Sequence, residues 1–107
     1  MNNRKIGASY EEKAARHLAE TGFKIIERNF RCRIGEIDLI AWDKNYLCFI
    51  EVKYRAGLSK GHPAEAVTEN KQQKIAKTAQ YYMLIKNIPQ DTPCRFDVAV
   101  ILDNEIS

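Results

Sequence analysis

Ile6, Tyr10, Ala14 and Leu18 recur every four residues, the spacing of one face of an α-helix. Thr21-Gly22 follows as a stop signal. The start lies between residues 3 and 10, because Ser9 with Glu12 offers a capping box inside the stripe. Phe23 to Phe30 sets Ile25 and Ile26 among charged residues and reads as a strand. Ile34–Trp42 and Tyr46–Arg55 are rich in β-branched and aromatic residues and are separated by Asp43-Lys44-Asn45, which predicts a hairpin. Residues 56–63 (AGLSKGHP) read as a mobile loop. Thr68 is placed to cap a helix running to about Lys86, with Ile75, Ala79, Tyr82 and Met83 facing inward and Asn87-Ile88-Pro89 ending it. Cys94–Leu102 alternates Cys94, Phe96, Val98, Val100 and Leu102 with Arg95, Asp97, Ala99 and Ile101, the period of a strand. The predicted order is αβββαβ, an α/β fold with helices packed on one sheet.

Registering the hairpin brings out its chemistry. Whether the loop is Lys44-Asn45 or residues 43–46, paired residues have numbers that sum to 89. Trp42 then faces Leu47, Ile40 faces Phe49, Asp38 faces Glu51 and Glu36 faces Lys53, all on one face of the sheet. That face is apolar near the turn and charged at its far end. Ile37, Leu39 and Ala41 against Cys48, Ile50 and Val52 form the other face, apolar throughout, which belongs in the core. A cross-strand salt bridge on a solvated face accounts for Glu36 and Lys53. It does not account for Asp38 and Glu51: two carboxylates directly opposite stand roughly 5 Å apart at Cβ and destabilise each other. A raised pKa or a bound cation resolves that conflict. Magnesium suits the position, since it takes oxygen ligands and needs only one or two carboxylates plus substrate phosphate.

In the first helix, Glu12 and Glu20 each have Arg16 one turn away, as ordinary surface pairs do. Glu11 has only Gly7, Ala8, Ala14 and Ala15 at helical spacing. From periodicity alone it reads as a surface residue.

The chain has 107 residues, 17 Lys+Arg and 14 Asp+Glu, for a formal charge of +3. That length predicts a single domain over 1–107, and the mild basicity permits a nucleic-acid partner without demanding one. No apolar run approaches the roughly 18 residues of a membrane span. Three cysteines without a CxxC pair read as reduced, packing thiols in a cytoplasmic protein. With two histidines and no zinc-type Cys/His spacing, a structural zinc site is not expected.

With these residues in place, the chain resembles the PD-(D/E)xK nuclease superfamily of restriction-endonuclease-like fold. More closely, it resembles the uncharacterised YraN-like bacterial family, related in fold to the archaeal Holliday junction resolvases. The carrying segments are Gly7-x-x-x-Glu11, Gly35-Glu36-Ile37-Asp38-Leu39-Ile40-Ala41 and Phe49-Ile50-Glu51-Val52-Lys53-Tyr54-Arg55. Val67-Thr68-x-x-Lys71 and Arg95-Phe96-Asp97-Val98 add to them. Ile37 stands where the superfamily's name has proline, and no glutamine has a tyrosine four residues on. The resemblance implies a mixed sheet flanked by helices and makes Glu11, Asp38, Glu51 and Lys53 the catalytic set. Asp38 and Glu51, with Glu11 and the Val52 carbonyl, would hold Mg²⁺ or Mn²⁺, and Lys53 would orient water or stabilise charge on a scissile phosphate. The implied activity is metal-dependent phosphodiester hydrolysis, on branched or single-stranded DNA. The resolvase resemblance and the small net charge favour a homodimer.

Arg31, Arg33, Arg55, Lys60, Lys71 and Lys74 are the candidates for phosphate contacts, although a solvated face is the default for each run. The rival reading is a noncatalytic nucleic-acid-binding module that keeps the fold and its acidic pocket. A purely structural domain would require the Asp38/Glu51 juxtaposition to be accidental.

Overall fold

The computed structural model describes the backbone of residues 3–55 and 68–102, and the side chains of residues 10–54 and 68–101. The predicted loop over 56–63, with Lys60, and the Arg55 side chain lie outside the described residues.

The first helix, α1, spans Asn3–Glu20. It ends because Gly22, at φ 107, takes the left-handed turn that a side chain resists. Phe23 N–H then closes back on the Leu18 carbonyl at 3.0 Å and Gly22 N–H on Ala19 at 3.2 Å, a Schellman stop. Strand β1 (Lys24–Arg31) follows, then β2 (Glu36–Asp43) and β3 (Tyr46–Arg55). The β2–β3 turn is the two-residue Lys44-Asn45, with Lys44 at φ 58. Helix α2 (Glu69–Ile85) starts at Thr68, whose hydroxyl accepts from Lys71 N–H. It stops at Asn87, at φ 58, where Ile88 N–H returns to the Met83 carbonyl at 2.8 Å. Strand β4 (Cys94–Leu102) completes the predicted αβββαβ order.

The four strands lie in the order β1-β2-β3-β4, the first two pairings antiparallel and β3–β4 parallel. A parallel neighbour needs a crossover, and α2 is that crossover. Both faces of the sheet are therefore covered. Ala14 and Ala15 let α1 approach Leu39, Ala41, Cys48 and Ile50 on one side. Ile75, Ala79, Tyr82 and Met83 of α2 cover Ile40, Leu47 and Phe49 on the other. The hairpin thus has a core on each face, where the sequence pattern placed one only on the Leu39 face. Each fully buried leucine, such as Leu39 or Leu47, contributes about 2 kcal/mol through that burial.

The β2–β3 pairing is regular at the turn end and stops towards the other, while β1 shifts register against β2 between Ile25 and Glu27. Ile37 joins the α2-side core although Leu39, two residues on, belongs to the α1-side core. The same reversal occurs in β1. Phe30 packs edge-on against Tyr82 of α2, while Arg28 reaches across the other face to Glu12 of α1. The reversals lie opposite each other, because Asn29 and Asp38 sit between the pairs Arg28↔Leu39 and Phe30↔Ile37. Asn29 has φ 53, a conformation asparagine tolerates better than most residues. This break, rather than the period-2 pattern, decides where Ile37 and Asp38 point.

Candidate metal and phosphate site

The summed-to-89 register holds from Asp43↔Tyr46 to Leu39↔Ile50, and there the recorded pairing stops. With Asp43↔Tyr46 exchanging both hydrogen bonds across a two-residue turn, Ile37 and Val52 would be the next bonded pair. Instead, Val52 N–H donates to Asp38 Oδ2 at 2.8 Å. The broken alternation at Asn29/Asp38 lets the Asp38 carboxylate lie toward β3 and take the place of a backbone acceptor.

Asp38 and Glu51 line one small cavity with Glu36, Ile37, Ile50, Ile75 and Phe96. Burial pushes the Asp38 carboxyl up to about 6, opposed by the Val52 hydrogen bond and reinforced by the charges of Glu11, Glu51 and Glu36. Asp38 and Glu51 thus share a cavity although they are not paired in the ladder, and the charge of Glu11 also acts on Asp38. A stacked pair of rings ties this turn of α1 to β3. Tyr10 on α1 lies on Tyr54 of β3, with centroids 4.1 Å apart and planes 11° apart. That stack sets the residue after Tyr10 beside the end of β3 that carries Lys53.

Two lysines converge on Glu51. Lys71 Nζ stands 2.7 Å from its Oε1 and Lys53 Nζ 3.6 Å from the same oxygen. Burial, followed by the neighbouring Lys71, lowers the Lys53 pKa. The Glu51 hydrogen bond raises that of Lys71. The expected Glu36–Lys53 bridge does not form. Glu36 pairs with Arg31 at 2.8 Å and Lys53 with Glu51, because the strands part before their pairing would reach that level.

Of the residues assigned to phosphate contact, Arg31 is thus exposed but engaged with Glu36, and Arg33 is exposed in the β1–β2 connection. Lys74 is exposed and lines a cleft of about 150 Å³ with Gly35, Glu36, Glu51, Lys71, Ile75 and Thr78. Gly35 packs tightly there: a Cβ on it would stand 3.1 Å from Thr78 Oγ1. Lys71 is half-buried and held by Glu51, a contact that no helical spacing signals because it joins residues 20 apart. Of the cysteines, Cys48 is buried as expected. Cys94 is exposed at the start of the edge strand, its thiol directed at Met83 Sδ 3.6 Å away.

At the turn end, Arg95 of β4 bridges Asp43 Oδ2 and Asp97 Oδ2, each at 3.0 Å. It also lies over the Phe23 and Tyr46 rings. The parallel β3–β4 register creates this cluster, which no sequence spacing reveals.

Among the described residues, no group of three or more His, Cys, Asp or Glu stands as a ready-made metal cage, and no helix is long and apolar enough to cross a membrane. Asp38 and Glu51 nevertheless suit a hard cation that takes one or two carboxylates and completes its shell with water and phosphate. The donor set is all oxygen, and the charges on Asp38 are those a divalent cation offsets.

The chain matches the model of a family described as "Uncharacterised protein family UPF0102" over residues 10–101. It is 51% identical over 106 residues to a UPF0102 protein of Lachnoclostridium phytofermentans, covering 99% of this chain and 90% of that one. It is 54% identical over 97 residues to UPF0102 protein CT2262 of Chlorobaculum tepidum, covering 91% and 74% respectively. A UPF0102 protein of Clostridium botulinum is 49% identical over 105 residues, 98% of this chain and 85% of its own.

Proposed function

The chain belongs to the UPF0102 family, whose name carries no activity, and we propose from its site that it is a metal-dependent nuclease acting on branched or single-stranded DNA. One observation carries this reading. The β2–β3 ladder opens where Asp38 turns to Val52 N–H, and Asp38, Glu51 and Lys53 lie at that end of the hairpin, with the charge of Glu11 acting on Asp38. Half-buried carboxylates sharing one cavity are a cost that a purely structural strand end has no reason to bear.

Asp38 and Glu51 would hold Mg²⁺ or Mn²⁺, with Glu11 on the side of α1 and the Val52 carbonyl within the same strand. Bound there, the cation supplies Lewis-acid polarisation of a phosphoryl oxygen and a more acidic water. The Val52 amide fixes the Asp38 carboxylate in one orientation. Lys53, shared loosely with Glu51, presents an ammonium that attracts a scissile phosphate and offsets the charge that develops on it. The Ile75 and Phe96 side chains wall the acids from one side, and the lower local dielectric strengthens each of these charge interactions. Exposed Lys74 and Arg33 supply phosphate contacts along the adjoining surface.

The Lys71–Glu51 ion pair favours a second reading, a noncatalytic nucleic-acid-binding module whose acidic pocket is neutralised by its own lysine. A cleavage assay on labelled four-way junction, flap, single-stranded and duplex DNA, with Mg²⁺ or Mn²⁺, separates the two. The nuclease reading expects cleavage that falls at least about a hundredfold in Asp38→Ala and Lys53→Ala. Tight, salt-dependent binding without cleavage, unchanged in Asp38→Ala, establishes the module instead.

A further inference from the structure

Lys71 sits where the first turn of α2 meets the acidic end of the hairpin. The Thr68 hydroxyl accepts its N–H at 3.2 Å and fixes that turn. Ile75, one turn on, anchors the helix in the α2-side core. The Lys71 ammonium is the closer of the two cations on Glu51 Oε1, at 2.7 Å against 3.6 Å for Lys53. Burial is unequal across the pair: the Glu51 side chain is 16% exposed and that of Lys71 40%. The carboxylate is thus the inner partner, and the lysine reaches it from the solvent side.

A half-buried carboxylate without a partner is costly, so something positive must stand beside Glu51 when no metal is bound. We propose that Lys71 is the site's resident counter-ion, holding Glu51 in the metal-free protein and giving way to the divalent cation that takes it. This inference rests on the nuclease reading of the site. An ammonium at 2.7 Å occupies Glu51 Oε1 directly, as Lys53 at 3.6 Å does not, so Lys71 and a divalent cation do not take that oxygen together. The 150 Å³ cleft that Lys71 lines with Lys74, Glu36 and Glu51 gives the displaced ammonium room to move off the Glu51 oxygen, with Glu36 to meet it, without unwinding α2. There it lies beside a second cation, on the surface a phosphate backbone would follow.

Lys71 therefore has two opposed effects. It weakens metal binding, because each cation that enters must first expel it. It strengthens binding of a polyanion to the metal-free protein, because it hides the negative charge of Glu51. A residue that only stabilises the fold would move both affinities the same way. A plain phosphate contact would leave metal affinity unchanged.

The test measures Mn²⁺ binding by calorimetry or electron paramagnetic resonance, and anisotropy of a labelled single-stranded oligonucleotide in EDTA. Wild type, Lys71→Met, Lys71→Gln, Lys71→Arg and Lys74→Met are compared, each with a thermal melt as a check of folding. Lys71→Met and Lys71→Gln are expected to bind Mn²⁺ about fivefold tighter, the scale of a part-exposed ion pair, and the oligonucleotide about threefold more weakly. Lys71→Arg restores wild-type or weaker Mn²⁺ binding, and Lys74→Met weakens the oligonucleotide alone. Mn²⁺ binding by wild type that is unchanged or weaker in folded Lys71→Met and Lys71→Gln overturns the inference while leaving the nuclease reading standing. Absence of Mn²⁺ binding in every variant overturns both.

Discussion

The two ends of the β2–β3 hairpin carry similar charge and treat it in opposite ways. At the turn end, Asp43 and Asp97 share Arg95, which bridges them and packs over two aromatic rings. Pairing there is regular from Asp43↔Tyr46 inward. At the open end the ladder stops, half-buried Asp38 feels the charges of Glu11, Glu51 and Glu36, and it accepts from a backbone amide. Glu51 is met by two lysines that compete for one oxygen. The turn end is built for stability. The open end holds unbalanced charge, which is what a site for a cation and a phosphate requires and what a stable strand end avoids.

That contrast predicts opposite signs for substitutions at the two ends. Leu47→Ala, at a fully buried position near the turn, should cost about 3 kcal/mol through lost burial and the cavity it leaves. Chemical denaturation measures it. Arg95→Met should also lower the Tm, by leaving Asp43 and Asp97 to face each other. The open end should respond the other way.

Asp38→Asn keeps an acceptor for Val52 N–H and removes the crowded charge, so at neutral pH and without metal it should raise stability by about 2 kcal/mol. The sign follows from proton uptake. The Asp38 carboxyl titrates at about 6 in the folded protein against an ordinary 3.8, so between those values the folded state binds more protons than the unfolded. The stability this group confers is full below about pH 3.8 and is lost as the pH rises through 6. The advantage of Asp38→Asn over wild type should therefore be absent near pH 3.5 and complete by pH 7, read from paired urea titrations. An advantage that does not change with pH would place the effect in packing rather than charge.

The smallest effect concerns the break itself. Asn29 holds φ 53 opposite Asp38. Asn29→Gly should leave stability within a few tenths of a kcal/mol, whereas Asn29→Val should cost about 1 kcal/mol or more, since a β-branched residue resists that backbone conformation. If valine is tolerated as well as glycine, the left-handed residue does not hold the break in place.

The same contrast explains what was legible in the sequence. Hydrophobic period, turn residues and caps locate all six elements, because each is a local signal: Thr68 caps α2 and Gly22 stops α1 as their chemistry demands. The register rule works from the turn to Leu39↔Ile50 for the same reason. Beyond that pair it fails, and with it the Glu36–Lys53 bridge and the face assigned to Ile37. A left-handed asparagine in a neighbouring strand leaves no mark on the period of β2. Motif spacing still brings Asp38, Glu51 and Lys53 to one end of the hairpin. Lys71 on Glu51 and Arg95 between two aspartates were not legible, because the packing of α2 and the parallel β3–β4 pairing create them.

The most direct test of the open end as a cation site is a thermal melt of wild type and Asp38→Asn, each with EDTA and with excess Mg²⁺. A ligand that binds only the folded state raises its Tm. Mg²⁺ is expected to raise the Tm of wild type and leave Asp38→Asn, already higher in EDTA, where it was. Wild type that does not respond to Mg²⁺, with Asp38→Asn still above it, would contradict the account and leave the carboxylate crowding without a function.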